Sequence, residues 1–426
     1  MDRRKLLKLF DSKPGNYFLS QMAFGTAFTY LTGGVFLSGL AILMGASDLL
    51  VSYISVIANI CGVIILAFAT FLERFRSRKR LTIALTILSK MATLFIVTIQ
   101  AFIPVESRIA VFVPIVIAAF ALQAQTTVAL NNWMVGYIDE EKRGRYISLR
   151  QTLALIVTVG LSIAGGYLMD AMQGKYIGFL VLFMVAFLMG AAEIAILSRI
   201  PDSAAYASSG EKYRLRDAVK IPLQNKAFMG FVVHIALFYL MLNVADSFTM
   251  VYIMRYLELP YKLATSMYLL ISLPQIVLLC IWGKISDKRG HRFVLKASIW
   301  FFAGETLFMA FAAPQNYHIF IPISFGIASI ANSGFVVSAF NRRYELMPEN
   351  SRIIYDNFYS ASIGIAFILG PMLGGAIKHL LELSHAITKA VPFASIRMLY
   401  VISTGGILVL QIVCSHLRKG APNLAA

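Results

Sequence analysis

The chain alternates long apolar stretches with short polar ones. A membrane-crossing helix needs about 20 mostly apolar residues. Twelve such stretches are present, at roughly residues 17–43, 49–72, 81–103, 109–131, 151–172, 177–198, 227–254, 263–283, 293–313, 319–341, 357–378 and 395–416. The longest polar break is Ile200–Lys226, which holds Ser203, Ser208, Ser209 and Gly210 and reads as a linker between two six-span halves. The pattern therefore predicts an all-α polytopic membrane protein. Its parts are a basic N-terminal segment (1–16), a six-helix bundle (17–199), a linker (200–226), a second six-helix bundle (227–416) and a short tail (417–426). The opening segment carries Arg3, Arg4, Lys5, Lys8 and Lys13 and is expected to lie on the membrane surface. The apolar run behind it is too long for a cleavable signal.

The two halves resemble each other. At an offset of 209 residues, Asn132–Tyr167 aligns without a gap on Asn341–Ala376. Asn132 falls on Asn341, Glu140 on Glu349, Arg143 on Arg352, Tyr146 on Tyr355, and Gly165-Gly166 on Gly374-Gly375. The matched segments sit at the same junction in each half, spans 4/5 and 10/11. Parallel six-span halves place a substrate site near the midplane between them.

Composition sharpens this picture. The chain is 58% hydrophobic and only 14% charged, far from a soluble domain, yet its net charge is +17. Assigned to alternate sides of twelve spans, 30 Lys and Arg fall on the side of the N-terminus and 7 on the other, with Lys90 left inside a span. Cytoplasmic loops carry the Lys/Arg excess, so both termini are expected in the cytoplasm, most simply at the plasma membrane. The same partition removes nucleic acid as a partner. Cys61, Cys280 and Cys414 lie in apolar runs with no metal-binding spacing, so no metal or cofactor is expected. No GxxxxGK[ST] loop is present to use ATP.

The loop after span 8 reads Gly283-Lys-Ile-Ser-Asp287-Lys288-Arg289-Gly290-His291-Arg292. This resembles the loop signature of the major facilitator superfamily, G-x-x-x-D-R/K-x-G-x-R/K, in both spacing and topological place. The first-half copy, Leu72–Arg80, keeps the basic cluster but lacks the Gly and the Asp. The resemblance implies the twelve-helix fold of that family and alternating-access transport. It also implies a conformational latch at Gly283, Asp287, Lys288, Gly290 and Arg292. Gly283 would let a neighbouring helix approach closely, and Asp287 would cap or pair across the contact. In span 11, Gly364, Gly370-Pro371 and Gly374-Gly375 read as a close-packing face. The span-5 counterpart lacks the Gly-Pro pair typical of drug–proton antiporters in the family.

Polar residues inside spans are the informative exceptions. By the resemblance, spans 1, 4, 7 and 10 line the cavity. Gln123, Thr127 and Asn131 fall on one face of span 4. Asn332 in span 10 aligns with Gln123 at the repeat offset, and Tyr239 and Asn243 share a stripe of span 7. These are candidate cavity residues, with helix–helix hydrogen bonding as the alternative. Asp246 and Glu305 are candidate proton-coupling carboxylates; the alternative for Asp246 is an interfacial residue held by water or Arg255. His234 is expected to be packed and neutral. Lys90 and Glu193 lie ~15 Å and ~9 Å from one membrane boundary, close enough for a structural ion pair once Lys90 bends toward that side. Trp133, Trp282 and Trp300 read as interface anchors.

Taken together, the sequence indicates a monomeric secondary active transporter, not an enzyme, that moves a small organic solute and is coupled to protons. A multidrug/proton antiporter is the nearest alternative. A lipid flippase or a non-transporting membrane receptor are the others.

Overall fold

In the computed structural model, residues 13–61, 63, 78–135, 137, 140–201, 215–348, 352–383 and 393–420 are described. Among them every regular element is helical, and eleven helices are long and apolar enough to cross a membrane. The twelfth expected span, at roughly 49–72, is seen only at its start; most of the rest lies outside the described residues.

The chain divides into two compact units. The first comprises Met1–Ala46 and Ala67–Tyr213. Its helices are α1 (Lys13–Leu31), α2 (Gly34–Leu43), α5 (Arg78–Phe102), α6 (Val105–Val135), α7 (Glu140–Ala171) and α8 (Tyr176–Arg199). The first span is broken between α1 and α2, where Gly34 adopts φ +48°. A side chain resists that left-handed backbone, so a glycine is needed at the break. α1 packs on α7 and α8, and α5 packs on α6 and α8. One end of this bundle is sealed by Phe18, Leu130, Trp133, Met134 and Tyr146. Trp133 is fully buried there, edge-on to Phe18, so it is core and not an interface anchor.

The second unit comprises Ser47–Leu66 and Arg214–Ala426. It holds α3 (Asp48–Ser55), α4 (Ile57–Ile60), α9 (Leu215–Gln224), α10 (Lys226–Asn243), α11 (Thr249–Val251), α12 (Tyr261–Arg289), α13 (His291–Phe311), α14 (Tyr317–Glu345), α15 (Arg352–Leu383) and α16 (Ala394–Gly420). The short amphipathic α9 ends the linker. Asn225 then caps α10, its Oδ1 accepting from Phe228 N at 3.0 Å while its Nδ2 donates to Leu346 O at 3.1 Å.

The seventh span is irregular. After α10 the backbone passes through a 3₁₀ turn (Asp246–Phe248), α11 and a π turn (Tyr252–Tyr256). The glycine face of α15 sits against this break. A Cβ on Gly374 would lie 2.2 Å from Val244 O, and one on Gly370 would lie 2.6 Å from Asn243 Cβ. The GxxxG face of the sequence is therefore used for close backbone approach. The start of the second span is tied to the same unit by packing, with Leu49 against Gly375 of α15, and by charge. Asp48, at the first turn of α3, pairs with Arg255, accepts from Tyr256 Oη at 2.7 Å, and lies 3.1 Å from Lys378 Nζ on α15.

Candidate functional site

A cavity of about 520 Å³ lies within the first unit. Most of the residues that line it carry polar side chains. α6 contributes Gln123, Thr127 and Asn131, one turn apart on one face, as the spacing predicted. Gln123 donates to Thr29 Oγ1 on α1. Tyr30, also on the wall, hydrogen-bonds Ser162 on α7 at 2.5 Å.

Two charged groups are built into this wall. Lys90 on α5 and Glu193 on α8 are both buried, with Lys90 Nζ 2.6 Å from Glu193 Oε2. Gln21 Nε2 on α1 donates to the other carboxylate oxygen at 2.7 Å. Two glycines make room for the pair. A Cβ on Gly25 would meet Glu193 Oε1 at 2.8 Å, and one on Gly190 would meet Lys90 Cδ at 2.6 Å. The Lys90 ammonium also sits 3.8 Å from the centroid of the Phe28 ring. Three helices thus converge to satisfy a charge pair that the interior would otherwise penalise.

The second charged group is Arg150 on α7, which also lines the cavity and is 9% exposed. Its Nη1 donates to Asn131 Oδ1 at 2.9 Å and to Met134 Sδ at 3.2 Å. The sequence reading counted Arg150 among the positive loop residues and did not single it out. It falls just before the fifth apolar stretch, yet in the structure it lies ten residues past Glu140, the start of α7. Gln21 was also missed, for it has no spacing partner in its own helix.

The remaining candidates lie in the second unit. Asn332 and Tyr239 are half-buried. Tyr239 packs among Phe238, Phe335 and Phe367. Asn243 is buried and donates to Tyr239 O at 2.8 Å, closing the last turn of α10. Asp246 opens the 3₁₀ turn and accepts from Thr249 Oγ1 at 3.3 Å; Thr249 in turn hydrogen-bonds Tyr400 Oη at 2.8 Å. Glu305 on α13 is buried and within electrostatic range of Asp246. The structure therefore brings together the two carboxylates singled out in the sequence. His234 is packed against Cys414 and Gln411.

In the second unit, Asp48 is the centre of a charged cluster. Burial pushes its carboxyl up, but hydrogen bonds from Tyr256 and Lys378, with the charges of Lys378 and Arg255, outweigh this. The net effect holds it below the ordinary Asp value. Arg255, offered by the sequence as a partner of Asp246, is an ion-pair partner of Asp48.

The loop motif forms the corner between α12 and α13. Gly290 takes φ +84°, a second position where glycine is needed. His291 Nε2 lies 3.3 Å from Glu345 Oε1, and Arg342 Nη1 lies 2.8 Å from Glu345 Oε2. Asp287, Lys288 and Arg292 are exposed, and a Cβ on Gly283 would meet nothing within 4 Å. In this conformation the motif stands open beside Gly283.

Comparison with known proteins gives the same fold. The sequence model of the Major Facilitator Superfamily matches residues 18–341 and, in an overlapping match, 247–414. The solved structure of the nucleoside transporter NupG superimposes with a TM-score of 0.71 at 13% identity, covering 95% of this chain and 98% of that one. A D-xylose-proton symporter gives 0.70 at 14% identity, covering 92% and 94%. The vacuolar basic amino acid transporter 5 of Saccharomyces cerevisiae is 30% identical over 105 residues, which is 25% of this chain and 18% of that protein.

Proposed function

Because the chain belongs to the major facilitator superfamily and is an integral, multi-pass membrane protein, we propose that it is a secondary active transporter that binds a small polar organic solute in the cavity of its first half. The carrying observation is the polar wall of that cavity, with Gln123, Thr127 and Asn131 on one helix face. Amides and hydroxyls at that density suit a solute with several hydrogen-bonding groups. A multidrug antiporter calls for an apolar cavity, so the lining favours the solute reading. Proteins of similar fold that are named for nucleosides and xylose support a polar cargo as well.

Proton coupling is the second part of the proposal. Asp246, half-buried in the interrupted seventh span, and Glu305, buried on α13, provide two carboxylates within range of each other. Intramembrane carboxylates of this kind serve proton relays. Both termini face the cytoplasm, on the strength of the 30-to-7 charge partition. The protein works as a monomer, and Asp287 engages a neighbouring helix when the open motif closes.

Reconstitution tests both parts. Proteoliposomes are screened for uptake of nucleosides, sugars, amino acids and organic acids, with and without an imposed pH gradient. Saturable uptake of a polar solute is expected, driven by the gradient. Saturable uptake that ignores the gradient removes proton coupling, and broad uptake of apolar drugs alone removes the solute reading.

A further inference from the structure

We infer that Arg150 anchors the carboxylate of a small organic monoanion in the first-half cavity; the inference rests on that cavity being the solute site. A guanidinium offers five N–H donors in a planar fork. Arg150 uses Nη1 on Asn131 and Met134, and its buried Nε has no hydrogen-bond partner among the described residues. Among those residues no Asp or Glu lies in ion-pair contact with it. A buried charge left in that condition is costly unless something completes it, and the group lines a cavity large enough for a small solute.

The internal repeat supplies an independent comparison. At the offset of 209 residues, Met134 falls on Arg343 and Arg150 falls on Tyr359. The second half thus carries its guanidinium on the opposite helix of the same pair. There Arg343 lies 4.6 Å from the Tyr359 ring and 3.1 Å from Asp356 Oδ1, so the half neutralises its own cation. The position equivalent to Asp356 in the first half is Ile147. The acid present in one half has no equivalent in the other.

Charge balance narrows the ligand. Among the described residues, the acid whose field reaches Arg150 is Glu193. That carboxylate is already bound by Lys90 at 2.6 Å and Gln21 at 2.7 Å. Lys90 and Glu193 cancel, and Arg150 leaves one formal positive charge on the wall. One carboxylate balances it. A phosphate monoester, mostly dianionic at neutral pH, would leave an excess negative charge.

The test uses the purified full-length protein and a thermal-unfolding titration. Three sets of probes are compared: lactate, benzoate and other monocarboxylates; the matching amides lactamide and benzamide; and glycerol phosphate. A ligand that binds the folded state raises the unfolding temperature with concentration. At least one monocarboxylate is expected to raise it, with its amide weaker by at least about tenfold. Arg150→Gln abolishes that preference and Arg150→Lys keeps part of it, since Lys retains charge without the fork. The comparison of acid with amide is made on the unaltered protein, so a variant that fails to fold does not remove the test. Amides that bind as well as or better than the carboxylates overturn the anchor while leaving the solute reading intact. So does a response to glycerol phosphate alone. No response to any probe overturns the carboxylate anchor; no uptake of any solute in proteoliposomes overturns the transport reading separately.

Discussion

Lys90 Nζ lies 2.6 Å from Glu193 Oε2, with both side chains buried in the wall of a cavity. Five residues on three helices build this arrangement, for Gln21 bonds the carboxylate and Gly25 and Gly190 leave the space the pair occupies. Such a pair is weak evidence for net stability but strong evidence that neither partner can be lost alone.

Lys90→Met should therefore destabilise the protein by about 3–5 kcal/mol, because Glu193 is left buried without its counter-ion. The double substitution Lys90→Met/Glu193→Leu should recover most of that loss. Thermal unfolding of the two variants checks this. If the double variant is no better than the single one, the two side chains are not coupled.

Glycines make a second prediction. A Cβ on Gly374 would lie 2.2 Å from a backbone oxygen that cannot swing aside, while one on Gly283 would meet open space. Gly374→Ala should cost about 1–3 kcal/mol or more, and Gly283→Ala should be neutral or slightly stabilising in unfolding measurements. A transport defect in Gly283→Ala with unchanged stability would support closure of the motif in another conformation. Unchanged transport as well would remove the latch role from Gly283.

Acid should loosen the Asp48 cluster. Its carboxyl is held below the ordinary value of 3.8, so the stabilisation is complete above that value and is lost as pH falls through the lower folded value. Unfolding temperatures of the parent and of Asp48→Asn should differ at neutral pH and converge only as pH falls below 3.8 and through the lower folded value. A difference that stays constant across that range contradicts the electrostatic account of the Asp48 cluster.

Asp246→Asn and Glu305→Gln should each reduce gradient-driven uptake while leaving exchange of solute across the membrane in place. Uptake driven by an imposed pH gradient, compared with counterflow, separates the two. Undiminished gradient-driven uptake in both variants would remove these carboxylates from coupling.

Much of this molecule was legible in its sequence because membrane spans are read by length and apolar content, and sidedness by charge. The helical period put Gln123, Thr127 and Asn131 on one face, and the rise per residue put Lys90 and Glu193 within reach of each other. Arg150 was hidden by the same charge rule that fixed the spans, since an Arg at a span boundary already has an explanation there. Gln21 and Asp48 were hidden for another reason. Their roles depend on partners 172 and 207 residues away, Glu193 and Arg255, and no periodicity within one helix reports such a neighbour. Trp133 and Trp282 show the converse error. Both lie near span ends as interface anchors do, yet both are buried, Trp282 donating to Ile330 O at 3.0 Å.

The central claim is that the polar face of α6 in the first half holds the transported solute. It is tested most directly by proteoliposome uptake of the best solute from the screen, comparing the parent with Gln123→Leu and Asn131→Leu. Each substitution removes hydrogen-bonding capacity from the cavity wall without a large change in volume. The account predicts saturable uptake by the parent and a loss of at least about tenfold in kcat/KM in each variant, as for polar groups that meet a ligand. Uptake by both variants at parental kcat/KM, from equally stable protein, would contradict it.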